Sequence, residues 1–276
     1  MISRRTFIKG AGGCVLGMVS VGGYSHFLEP RWVEINNVTI KLEDLPTKFE
    51  GLRIAQLSDI HHCEYVSKDF IRNCVHKTNA LCPDVIVLTG DYVFGSNDYL
   101  SSVAKELSEL KAKEGVFAIL GNHDDKGSTY DELQRNGIRL LINEHIVLYR
   151  DNAYIFIAGI DDLWKGEIDI KKTLKGMDEN PKILLAHNPD VIETIQYEDV
   201  DFVISGHTHG GQVCFPFYGP PIVYSKFGAR YAAGLFRERN TLMYVNRGIG
   251  VSNLPVRFFA RPEITLFTIR NGLQQV

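Results

Sequence analysis

Eight residues of this 276-residue chain are the best equipped for chemistry: Asp59, His61, Asp91, Asn122, His123, His187, His207 and His209. They stand in short polar runs, "SDIHH", "TGDYV", "GNHD", "LLAHNP" and "GHTHGGQ". Carboxylate, amide and imidazole groups are oxygen and nitrogen donors that suit first-row divalent metals, and no cysteine stands among them to favour softer ions. With His123 set aside, the remaining seven donors exceed the needs of one ion. A two-metal site with centres about 3.5–4 Å apart accommodates them if one carboxylate bridges, and such a pair clamps the attacking and leaving oxygens of an in-line displacement at phosphorus. Asp91 is the bridging candidate. Taken singly, Asp59 reads as a turn or helix cap and Asn122 as a turn residue. His26, His76 and His145 read as surface or core residues, and His62 is ambiguous.

The elements that must position these groups follow from hydrophobic pattern. Apolar runs at 52–61, 83–91 and 115–124 read as strands, each ending in polar residues and each followed by a helical pattern. Ser67 precedes Phe70, Ile71, Cys74, Val75 and Leu81 on one helical face, a serine-capped helix. Leu100, Val103, Leu107 and Leu110 mark a second helix and 128–136 a shorter one. Further strands are expected at 32–42, 138–149, 153–162, 181–189, 200–209, 241–250 and 263–270, with helices near 170–177 and 190–196. Strands apolar throughout and followed by amphipathic helices make an α/β protein whose sheets are covered by helices, and so many strands imply two stacked sheets. All eight polar residues fall at the carboxyl ends of expected strands, where ligands bind in open α/β sheets.

Thirty basic and 33 acidic residues give a net charge of −3, which supplies no basic field for nucleic acid. No nucleic-acid partner is expected. The five cysteines, Cys14, Cys63, Cys74, Cys82 and Cys214, lack metal or redox spacing. They imply no disulfide framework, leaving one bridge open. Residues 1–30 form a separate unit: "SRRTFIK", with Arg4 and Arg5, precedes a glycine-rich apolar stretch without acids, the layout of an export signal. It looks like a twin-arginine signal, which implies folding before export through the twin-arginine machinery, to a periplasmic, envelope or extracellular location. No clear cleavage site follows, so removal and retention as a membrane anchor are both open. Residues 31–276 read as one domain.

In order and spacing, D-x-H, G-D, G-N-H-D, the lone His187 and G-H-T-H-G-G-Q resemble the calcineurin-like metallophosphoesterases. "GHTHGGQ", "YVNRGIG" and "RPEITLFTI" resemble the exported, phosphodiesterase-like branch. The resemblance covers roughly residues 50–270 and implies a four-layer αββα sandwich, two mixed β-sheets flanked by helices. It implies Asp59, His61 and His209 on one metal, Asn122, His187 and His207 on the other, Asp91 bridging, and catalytic His123 near the leaving group. The cofactors would be two divalent ions drawn from manganese, iron, zinc, cobalt or nickel. "GDYVFG" lacks the Asp-Arg-Gly of protein phosphatases, and Phe94 and His61 replace the tyrosine and glycine of purple acid phosphatases.

These features lead to a phosphodiesterase or pyrophosphatase in which metal-acidified water attacks phosphorus, acting on a phosphoester that extends to an envelope lipid precursor such as UDP-diacylglucosamine. A broad phosphomonoesterase and a non-catalytic metal-bound scaffold are the alternatives. Asp124 or Asp125 would orient the His123 ring. The long segment 213–236 is either a substrate-selecting wall or membrane-facing lip, with Phe215, Phe217, Tyr218 and Tyr224, or an irregular segment packed on its own domain. Arg247 either contacts a phosphate oxygen or caps its strand.

Overall fold

The computed structural model describes residues 17–274. Among the described residues twelve strands form two six-stranded sheets. In the first sheet the order is β1 (Glu34–Leu42), β12 (Glu263–Asn271), β2 (Arg53–Leu57), β3 (Val85–Leu88), β4 (Gly115–Ala118) and β5 (Arg139–Leu140). In the second it is β10 (Gly234–Glu238), β11 (Thr241–Val245), β9 (Phe202–Ser205), β8 (Lys182–Leu185), β7 (Ala153–Gly159) and β6 (Glu144–Arg150). Strands β2 to β5 run parallel, as do β7, β8, β9 and β11, whereas β12–β2, β6–β7 and β10–β11 are antiparallel. Both sheets are therefore mixed, and the parallel strands of each present their carboxyl ends along one edge.

Alternation along the strands divides the core into layers. Ile54, Val85, Val87 and Phe117 face Ile157, Ile183, Leu185, Phe202 and Ile204 between the sheets. Their neighbours Ala55, Leu57, Ile86 and Leu88 point outward against Ile71, Cys74 and Val75 of α1 (Lys68–Ala80) and Val103 and Leu107 of α2 (Leu100–Leu107). On the far side, Leu184 and Val203 pack against Ile192 and Ile195 of α5 (Ile192–Ile195). Because both faces of the central strands are buried, these strands are apolar throughout rather than alternating with polar residues. The result is the expected four-layer sandwich, completed by α3 (Lys126–Arg135) and α4 (Ile170–Leu174). Ser67 caps α1 as its sequence implies, accepting from the Phe70 amide at 3.3 Å.

Two expected elements differ. The run 138–149 is two strands, not one: β5 joins the first sheet and β6 the second. The chain crosses between sheets at Asn143, held at φ 54°, whose Oδ1 accepts from the Asp161 and Asp169 amides and whose Nδ2 donates to Glu167 O. The segment 213–236 is not irregular to its end, because β10 begins at Gly234 and forms a half-buried sheet edge. The four described cysteines, Cys63, Cys74, Cys82 and Cys214, are free; Cys14 lies outside the described residues.

Residues 17–31 are helical in successive short turns. They pack on the loop before β12: Arg257 N donates to Ser25 O at 2.9 Å, and buried Glu29 accepts from Ala260 N at 2.8 Å. The Arg261 guanidinium lies 3.8 Å from the Trp32 ring centre. Among the described residues no helix is long and apolar enough to cross a membrane. The "SRRTFIK" run itself lies outside the described residues.

Candidate metal centre

The carboxyl ends of β2, β3 and β4 meet those of β8 and β9 at one edge of the sandwich. Asp59 and His61 follow β2, Asp91 follows β3, Asn122 and His123 follow β4, His187 follows β8, and His207 and His209 follow β9. Each lies two to five residues past the last strand residue, so the loops rather than the strands carry the polar groups. Asp59, His61, Asp91, His207 and His209 all have left-handed backbone, at φ 50°, 47°, 58°, 73° and 54°. Asp and His tolerate this region better than most residues, yet non-glycine residues held there cost about 1–3 kcal/mol each and cluster at functional sites. The turn aims each side chain back across the strand ends.

Two trios of donors result. Donor atoms of Asp59, His61 and His209 all lie within 4.8 Å of one another, as do those of Asp91, His187 and His207, and all six residues are buried. Asn122 joins the second trio, with Oδ1 3.1 Å from His187 Nε2. Between the trios, Asp91 Oδ2 is 3.4 Å from His61 Nε2 and 3.3 Å from His187 Nε2. The sequence-expected residues are thus brought together, including all seven donors.

Hydrogen bonds fix which atoms face inward. His187 Nδ1 donates to Thr89 O at 2.7 Å, which turns Nε2 toward Asn122 Oδ1, Asp91 Oδ2 and His207 Nδ1 as the nitrogen a metal would take in place of a proton. His61 Nε2 and His209 Nε2 face each other at 3.0 Å. Asp59 accepts from the His207 amide at 3.0 Å and from Ser58 Oγ at 2.5 Å, and Ser58 in turn accepts from Thr89 Oγ1, itself held by Gln56 Nε2. Glycines permit the approach: a Cβ at Gly206 would fall on Ser58 Oγ and Asp59 Oδ2, and one at Gly121 on Asp91 Oδ1 and its amide.

Converging lone pairs demand positive charge. Burial pushes His61 down to about 4 and His207 to about 3, and lowers His209 well below the usual histidine range, so all three rings are neutral donors. Burial acts against a charge on His187 too, but the Asp91, Asp59 and Asp162 carboxylates outweigh it and raise its pKa to about 10. A proton on His187 answers a demand that a divalent cation between the same atoms would meet better. The donor set, oxygen and nitrogen without sulfur, fits such ions.

His123 stands at the mouth. Its amide donates to Asp91 Oδ1 at 2.8 Å, and its ring packs edge-on against His61 and tilted against Phe94 at centroid distances of 5.2 and 5.1 Å. It lines a cavity of about 130 Å³ with His61, Asp91, Asn122, His207 and His209. Trp164, Tyr224, Ser252 and Asn253 complete that lining, and the Trp164 ring stands edge-on to His207 at 4.4 Å. Sequence reasoning names Tyr224 as a candidate wall residue and misses Trp164, Ser252 and Asn253, of which Trp164 alone follows a strand exit, "GIDDLW".

Two side-chain roles, those of Asp124 and Asp125, need correction. Asp124 does not orient the His123 ring: it accepts from the Gly121, Asp91 and Tyr92 amides at 2.7–2.9 Å and so folds the loops that carry Asp91 and Asn122. Asp125 caps α3 through the Ser128 amide. Arg247 is engaged by Glu263 and Glu34 away from the cavity. His62, His145 and His76 lie outside the cluster; His62 bonds Val66 O and Ser102 Oγ, and His145 bonds Thr173 O.

Asp124→Ala leaves three amides without their acceptor, each costing about 1–3 kcal/mol where burial is retained. The variant should unfold at lower urea concentration and retain less metal after dialysis, read by elemental analysis. Full stability and full metal content would contradict this role.

A profile of the family described as calcineurin-like phosphoesterase matches residues 52–211. The chain is 38% identical to the uncharacterized metallophosphoesterase YkuE of Bacillus subtilis (strain 168), covering 98% of each chain. It is 34% identical to phosphodiesterase YaeI of Escherichia coli (strain K12), over 98% of this chain and 100% of that one. With UDP-2,3-diacylglucosamine pyrophosphatase LpxG of Chlamydia muridarum (strain MoPn / Nigg) the identity is 28%, over 88% of this chain and 91% of the relative. A full-length relationship above 30% and a family match spanning the loops that carry all eight polar residues place this chain in the calcineurin-like phosphoesterases, a family of metal-dependent phosphoester hydrolases.

Proposed function

We propose that the chain hydrolyses phosphodiesters at a centre of two divalent cations. Asp59, His61 and His209 would hold one, Asn122, His187 and His207 the other, and Asp91 would reach both. The observation that carries this reading is the position of Asp91 Oδ2, 3.4 and 3.3 Å from imidazole nitrogens of the two trios. When bound, such a pair acidifies water toward neutral pH and offsets charge on phosphoryl oxygens.

The chain's own groups then divide the remaining work. His123 faces the cavity beside the donors, where its ring reaches the oxygen that leaves phosphorus, a role that contributes about 10²–10⁴-fold. Burial lowers its pKa from the ordinary histidine value, opposed by Asp91, so at neutral pH the ring acts as an N–H hydrogen-bond donor. Trp164 and Tyr224 wall the cavity. Among the described residues no lysine or arginine lines it, which suits the single charge of a phosphodiester better than the double charge of a monoester. The relative named as a phosphodiesterase supports the same preference, and the relative named as a UDP-2,3-diacylglucosamine pyrophosphatase supports a lipid-linked form of the substrate.

Residues 1–30 complete the reading as an export signal retained as an anchor. The "SRRTFIK" run supports export, and the burial of Glu29 against Ala260 supports retention.

Manganese-loaded protein should hydrolyse an aryl phosphodiester with kcat/KM at least about tenfold above the aryl monoester, and a chelator should abolish both. A monoester preference would indicate a scavenging phosphatase, and two bound metals without turnover would indicate a scaffold. His123→Ala should keep both metals while losing about 10²–10⁴-fold on esters with poor leaving groups; metal loss in that variant would overturn its role. Replacing Arg4 and Arg5 by lysine should trap the protein in the cytoplasm of a host that has the twin-arginine pathway, and undiminished export on fractionation would contradict the signal.

A further inference from the structure

Beside the polar cavity runs a second depression of opposite chemistry. Gly211–Val213 and residues 221–224 form one wall and residues 252–256 the other. Val213, Pro221, Ile222, Leu254 and Val256 give it a largely hydrocarbon lining. It encloses about 140 Å³, close to the roughly 150 Å³ apolar cavity that accepts a benzene molecule. His209, Tyr224, Ser252 and Asn253 line both the cleft and the polar cavity, so the two adjoin.

The cleft has a fixed frame. Gln212, at φ 58°, donates from Nε2 to Leu254 O at 3.1 Å and accepts at Oε1 from the Ser252 amide at 2.5 Å. Its carbonyl accepts from Phe258 N at 2.9 Å. Asn253 Nδ2 donates to Tyr224 Oη at 3.1 Å and ties the two walls at the end shared with the polar cavity. Within this frame Ile222 and Leu254 are 68% and 64% exposed. Contiguous apolar surface left in water beside a polar site marks a place where something apolar docks.

We propose that the cleft takes the alkyl chain of an amphiphilic phosphoester whose phosphorus lies among the Asp91 donors. This inference rests on the phosphoesterase reading and adds the place where the substrate's apolar chain binds. The cleft's hydrocarbon lining suits an alkyl chain, and the four residues it shares with the polar cavity bring the chain's head group beside the donors.

Octylphosphonate and methylphosphonate, titrated calorimetrically below micelle-forming concentrations into the manganese-loaded protein, separate the cleft from turnover. Each methylene taken out of water adds about fourfold in affinity, so three buried methylenes should favour the octyl compound by about 60-fold. In parallel, octyl and methyl p-nitrophenyl phosphodiesters should show the same preference in KM rather than kcat. Ile222→Ser combined with Leu254→Ser, both at exposed positions, should bring the octyl-to-methyl ratio toward one. Equal binding of the two phosphonates by the parent protein overturns the proposal, and so does a preference that survives the double substitution. A dimer on sedimentation that the double variant abolishes would assign the cleft to a second copy and overturn it as well. Preferential octylphosphonate binding without hydrolysis of either ester would uphold the cleft and refute the phosphoesterase reading.

Discussion

A set of lone pairs turned toward one another inside a protein is unstable unless a positive charge lies among them. Here four imidazoles, two carboxylates and an amide meet at the end of an apolar sandwich with almost no access to water. Much of the local structure serves this convergence. Five of the seven donors sit on left-handed backbone, a strain that the surrounding fold must offset. Asp124 gathers three amides, and the Gln56, Thr89 and Ser58 chain fixes Asp59. Thr89 also selects the His187 tautomer through its carbonyl, so one residue governs a donor in each trio.

The two sheets make that convergence rigid. Three of the loops leave the first sheet and two leave the second, so the spacing between trios depends on how the sheets pack. Phe202 and Phe267 meet edge-on at 5.3 Å, and Tyr244 meets Phe267 at 5.2 Å, in the apolar layer that the sheets share. Parallel strands bring all five exits to one edge. Other loops on that edge build the cavity walls and the apolar cleft.

The sequence showed the parts of this arrangement that rest on residue type. Strands buried on both faces read as continuous apolar runs, and the polar residues at 59, 61, 91, 122, 123, 187, 207 and 209 stood out against them. What it hid depends on tertiary context. Asn143 turns one apolar run into strands of two different sheets, and neither its composition nor its periodicity marks the break. β10 is a half-exposed edge whose side chains need not alternate. An aspartate that gathers backbone amides looks the same in sequence as one that orients a ring, so the place of Asp124 had to come from its partners. Trp164, Tyr224 and the adjacent Ser252 and Asn253 come from three loops and line one cavity only where those loops meet.

Electron paramagnetic resonance of the protein loaded with manganese(II) tests the shared carboxylate most directly. Two ions held by Asp91 should bind at two equivalents per chain and give the spectrum of an exchange-coupled pair, which Asp91→Asn should abolish. A six-line spectrum of isolated ions at every loading, or one equivalent per chain, would contradict the account.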